Sequence, residues 1–100
     1  MNDKELANAV VALGVGGSIS DGTYRLSLAD IESRTAEQFV RDWRVAGALV
    51  EITGWCQALL HPDGYWMVNV GTDNEREGSS ENESAPRAII EACVTALGAK

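Results

Sequence analysis

No apolar run in this chain approaches the ~20 residues that a membrane-spanning helix needs. Histidine occurs once, cysteine twice and proline twice in 100 residues. Each shortage excludes something. The N-terminus, MNDKEL, is charged and no apolar segment follows it, so we expect no secretory leader and a reducing cytoplasm. Cys56 and Cys93 are far apart, and we expect free thiols packed as small hydrophobes. His61 sits beside Pro62 with no metal-type spacing to either cysteine, so we expect no metal and no cofactor. Basic residues are scarce too: eight Lys and Arg against fifteen Asp and Glu give a net charge of −7. That sign argues against binding nucleic acid directly and against anionic membranes. It suits solubility, or docking on a basic protein patch.

What is present reads as one α+β domain. Asn2 and Glu5 form a candidate capping box, and Leu6, Ala9, Val10 and Leu13 share one face, predicting a helix over 3–13. Gly14 follows where a left-handed stop belongs. Gly14 to Gly17 lacks the preceding strand and following helix of a phosphate loop and reads as a linker. Asp21-Gly22 signals a turn, and Thr23 to Leu28 alternates, predicting a strand over 23–28; Ala29 to Arg34 reads as a loop.

Thr35 to Glu51 predicts a long central helix over 36–52, capped by Thr35 with Gln38 at N3. Its apolar face is Phe39, Trp43, Ala46, Gly47 and Val50. Mid-helix Gly47 costs about 0.8–1.0 kcal/mol relative to alanine. We therefore expect a backbone to approach closely there.

Trp55 to Val70 reads as a hairpin around His61-Pro62-Asp63-Gly64, a three-residue loop with a glycine bulge. Counting from the turn pairs Leu59 with Trp66, Gln57 with Val68 and Trp55 with Val70. Both faces are mostly apolar, which predicts helices on both sides and tryptophans in the core.

Thr72 to Ser84 has no strong hydrophobe. It carries five acids against Arg76 alone, −4 of the total charge. We expect a mobile acidic loop over 72–84. Asp73-Asn74-Glu75-Arg76-Glu77-Gly78 mimics the start of a calcium loop, but the twelfth position is Ser84 instead of glutamate. A final helix over 86–97 follows Ser84 and stops at Gly98. No serine lies in a nucleophile elbow and no acids are paired for proton transfer, so we expect no enzyme.

FVRDWRVAGALVE (Phe39 to Glu51), the Trp-containing hairpin and NESAPRAIIEACVTAL (Asn82 to Leu97) together resemble small phage and prophage proteins of the phage α-β-α sandwich domain family. The resemblance spans nearly the whole chain and is specific in the two helical motifs. It implies a short antiparallel sheet, hairpin 55–70 plus strand 23–28, flanked by the three helices. It also implies an accessory protein without catalytic residues.

On this footing the expected function is a non-catalytic binding module in the host-cell cytoplasm. It would inhibit a host protein such as an antiviral defence component, through Arg41, Asp42 and Arg44 and the acids Asp73, Glu75, Glu77, Glu81 and Glu83. One alternative is a sponge for a nucleotide signal built on Tyr24, Arg25, Tyr65 and Arg87. Another is an acidic nucleic-acid mimic. Oligomeric state stays open, with a homodimer among the options.

Overall fold

A computed structural model of the chain describes residues 1–27, 30–73 and 75–98. Helix α1 (Asp3–Ala12) opens with a complete capping box: the Asn2 side chain accepts from the Glu5 N–H, and Glu5 accepts from the Asn2 N–H. Gly14, at φ +74°, ends it in the left-handed region that glycine enters freely. The next residues are not a bare linker. They form β1 (Gly17–Ser20), which turns through Asp21 and Gly22, both at positive φ, into β2 (Thr23–Leu26). That is the two-residue turn whose twist matches the strands. Part of the expected loop is also a strand, β3 (Ile31–Ser33), giving an antiparallel sheet of order β1-β2-β3. Leu28 and Ala29, the expected strand end and loop start, lie outside the described residues.

The expected helix over 36–52 is two helices, α2 (Ala36–Val40) and α3 (Trp43–Thr53). Asp42 causes the break. Its backbone is extended and its carboxylate accepts from the Arg44 N–H at 2.8 Å, which caps a new helix. The break also re-aims the apolar face. Phe39 and Val40 are buried in α2, whereas α3 buries Val45, Ala46 and Leu49 and leaves Trp43 61% exposed. Gly47 meets no backbone: a Cβ there would find nothing within 4 Å. The expected close approach is elsewhere.

A second sheet holds β4 (Trp55–Leu60), β5 (Trp66–Gly71) and β6 (Glu77–Asn82), in that order and antiparallel. The strand over 23–26 therefore belongs to a different sheet from the hairpin. The loop between β4 and β5 is the expected three-residue one, with Gly64 at φ +92°. The register is one residue off the expected one: Leu60 pairs with Trp66, Ala58 with Val68 and Cys56 with Val70. Half of the expected acidic loop is β6. Its alternation of Glu77, Ser79 and Glu81 with Gly78, Ser80 and Asn82 is the period of a strand.

Helix α4 (Ala85–Gly98) is the central element, displacing Thr35–Glu51 from that place. Ala88, Ile90, Ala92, Cys93 and Ala96 are fully buried. It packs on β5 and β6 and alongside α3, while α1 and α2 join it to the first sheet. Helices α3 and α4 thus pack against the second sheet and α1 and α2 against the first, and the chain has two sheets where one was expected. The small-residue seam allows the close approach. A Cβ on Gly78 would overlap the Ala92 carbonyl and lie 2.9 Å from the Ala96 nitrogen.

Two substitutions test this packing by chemical denaturation. Gly47→Ala should raise stability by about 0.8–1 kcal/mol, the helix-propensity gain at an open site. Gly78→Ala should lower it by roughly 1–3 kcal/mol or more, because backbone cannot yield as a side chain does.

Candidate docking face

The sequence-predicted residues separate into roles. Arg41 is tied at 2.7 Å to Asp3 of α1. Asp42 caps α3 and holds the Arg44 guanidinium by two bonds, 3.0 Å from Nε and 2.7 Å from Nη2. This pairing lowers the Asp42 pKa, chiefly through the Arg44 hydrogen bond. All three residues therefore have local structural partners.

The four residues of the nucleotide-sponge reading do not gather. Tyr24 is in the core, stacked on Phe39 at 5.6 Å. Arg25 pairs across strands with Glu32 at 3.7 Å in an exposed bridge that contributes little. Tyr65 stacks on His61 at 4.5 Å beside the hairpin loop. There the His61 Nδ1 accepts from the Asp63 N–H at 3.1 Å, so this turn histidine has a structural partner as well.

Arg87 is buried, and each of its three guanidinium nitrogens makes a hydrogen bond. Its guanidinium donates to Asp3 at 2.8 Å, Glu91 at 2.9 Å and the Met1 carbonyl at 2.6 Å. Glu91 in turn accepts from the Ser80 hydroxyl at 3.0 Å. The line Ser80–Glu91–Arg87–Asp3–Arg41 runs from the second sheet through α4 and α1 to α2. Asp3 is held below its ordinary value of 3.8, first by the Arg87 hydrogen bond and then by Arg41.

The two thiols face the interior. Burial raises the Cys56 pKa and pushes Cys93 up to about 11, against the opposing hydrogen bond from Thr53. Both are therefore protonated at neutral pH and poor nucleophiles.

What the structure does assemble is a face that the sequence reading missed. On β4, Trp55, Gln57 and Leu59 point away from α4. In register with them come Gly71, Asn69 and Met67 of β5, and then Glu77, Ser79 and Glu81 of β6. Trp55 lies across Gly71, where a Cβ would overlap the indole. It is 48% exposed and Leu59 is 49% exposed, so the expected burial of this tryptophan does not hold. Two adjoining depressions share Asn69 and Ser79 as their floor; Trp55 and Leu59 wall one side, and Glu77 and Glu81 the other. The result is an open furrow, apolar along one side and acidic along the other. Asp73, Glu75 and Glu83 flank the strand that carries its acids; Asn74, third in the calcium-like pattern, lies outside the described residues. The signal for the furrow was the period-two spacing of Glu77, Ser79 and Glu81, hidden by a composition that reads as loop.

No protein-family model matches the chain, and neither a curated protein nor a solved structure matches it. Among the described residues no helix is long and apolar enough to cross a membrane.

Asp3 gives the acid limb of stability a sign. A lowered folded pKa means that its contribution is complete above 3.8 and is lost as pH falls through the folded value. At pH 7, Asp3→Asn should cost roughly 1.5–3 kcal/mol, the range for hydrogen bonds to charged groups. In urea titrations the gap from wild type should narrow as the pH drops below 3.8; a constant gap would contradict the pairing.

Proposed function

We propose that the protein is a non-catalytic binding module whose furrow on the second sheet receives a partner-protein segment carrying apolar and basic side chains. The observation that carries this reading is the opposition of the Trp55–Leu59 wall to the Glu77–Glu81 wall across a polar floor. Exposed aromatics are the residue type that dominates binding hot spots. The net charge of −7 adds long-range attraction for a basic partner.

The likeness of Phe39–Glu51 and Asn82–Leu97 to phage and prophage accessory proteins supplies a setting. In it the module acts in the host-cell cytoplasm on a host protein, such as an antiviral defence component. The Arg41, Asp42 and Arg44 surface is secondary here, because each of those side chains is held by a neighbour within the fold.

The test is fluorescence anisotropy with two labelled peptides, one alternating Leu and Arg and the other alternating Leu and Glu. The basic peptide should bind and weaken with added salt. The double reversal Glu77→Lys, Glu81→Lys should weaken it about tenfold, by removing and then opposing two exposed ion pairs. Equal binding of both peptides, or indifference to the double reversal, would reject the furrow as the docking site.

A further inference from the structure

The two ends of the furrow differ. Across the sheet, one row holds Trp55, Gly71 and Glu77, and another holds Leu59, Met67 and Glu81. Residues paired across antiparallel strands share a face, so each row ends in a carboxylate. The middle position decides what stands beside it. Gly71 has no side chain, and the Trp55 indole leans into the place that a Cβ would take, one strand closer to β6. At the other end Met67 fills that place itself, and Leu59 has no aromatic ring to offer. Trp55 stays 48% exposed, so its ring is open to a ligand on the side of the furrow where Glu77 stands. Among the described residues neither Glu77 nor Glu81 has an ion-pair partner.

The walls also set the form of the occupant. Strands β4 and β6 lie two strand spacings apart, about 10 Å at ~4.8 Å each. A helix with its side chains is ~10–12 Å across and does not enter between side chains that project from both walls. An extended segment does. Its side chains alternate, one set toward Trp55 and Leu59 and the other toward Glu77 and Glu81. Those two acids are separated along β6 by about 14 Å at ~3.4 Å per residue, which matches basic residues four apart in the occupant.

We infer that Trp55, Gly71 and Glu77 form an arginine-reading subsite at one end of the furrow, whereas the Leu59–Glu81 end takes any basic side chain. The inference rests on the furrow as the docking site and names what one of its ends selects. A guanidinium is planar, so it stacks on the indole and still turns its N–H fork to the Glu77 carboxylate. A lysine ammonium is a point charge on a flexible stem and has no plane to lay on the ring. With only Leu59 and Met67 beside Glu81, arginine and lysine there differ little.

The test is fluorescence anisotropy with four heptapeptides that alternate leucine with polar residues. Serine is at the fourth position, and arginine or lysine at the second and sixth in all four combinations. The double-arginine peptide should bind about two- to fivefold more tightly than the double-lysine one, the scale of an exposed cation–π contact. The better of the two mixed peptides should match the double-arginine peptide, because only one arginine is read. In Trp55→Leu, which keeps an apolar wall, all four should bind alike. Glu77→Gln should weaken the arginine preference and Glu81→Gln should leave it intact, which decides the matter if the tryptophan variant does not fold. Equal binding of the double-arginine and double-lysine peptides overturns the subsite and leaves the furrow in place. So does an arginine preference that survives Trp55→Leu, or one that is halved in both mixed peptides. Failure of all four peptides to bind removes the furrow and the subsite together.

Discussion

Everything in the domain is referred to α4, and α4 is seated by a single close approach: its Ala92 turn rests on the backbone of Gly78. A helix normally stands off a sheet by the thickness of two side-chain layers. Here one layer is missing, because the sheet offers a glycine and the helix offers Ala88, Ala92 and Ala96. Backbone contact of this kind lets a short helix be enclosed on nearly all sides in a chain of only 100 residues. The inner face of β5 and β6 is covered by that one helix and its neighbour α3, while Ala58 and Leu60 of β4 stay exposed beyond them. No described residue covers the outer face, and Trp55, Leu59 and the acids of β6 are exposed there.

The buried Arg87 adds geometry that apolar packing cannot. Its three nitrogens reach α1, the Met1 carbonyl and its own helix, with distances of 2.6 to 2.9 Å. A buried guanidinium is costly to desolvate and is weak as a source of net stability, yet its fork accepts few arrangements. It sets the rotation of α4 against α1, and through Asp3 it reaches Arg41 at the end of α2. The break between α2 and α3 follows immediately. Asp42 then starts a helix whose buried side differs from the one that Phe39 and Val40 begin.

How much of this was legible depended on whether local chemistry or tertiary context decided each residue. The Asn2 capping box, the Asp21-Gly22 turn and the Pro62-Asp63-Gly64 loop are local decisions, and the structure has all three. So is α4, whose Ser84 start and Gly98 end were expected. The helix break was also local, but Asp42 is a cap only if the chain leaves the helix there, and the continuing apolar pattern argued that it does not. Strand β6 was invisible for the opposite reason. GSSEN has the composition of a loop, and it becomes a strand because β5 supplies its bonds and α4 requires a glycine at its second position. The hairpin register slipped by one because the count paired Leu60 with Tyr65, whereas the glycine bulge pairs His61 with Tyr65. That single step sets Gly71, Asn69 and Met67 beside Trp55, Gln57 and Leu59, in place of Val70, Val68 and Trp66. Trp55 was expected in the core because helices were expected on both faces of the hairpin; it walls the furrow because α3 and α4 pack on only one of them. The candidate site was therefore out of reach of the sequence: its acids were named, but the side chains facing them were assigned to the interior.

The asymmetry between the two edges of the second sheet is the last consequence of this arrangement. Acids on β6 serve two ends at once, lining the furrow and blunting that edge against strand pairing. On β4 no residue does the second task, although a lysine at position 57 or 59 would suffice without disturbing the core. The wet face of the second sheet thus carries its apolar side chains along one edge and its carboxylates along the other.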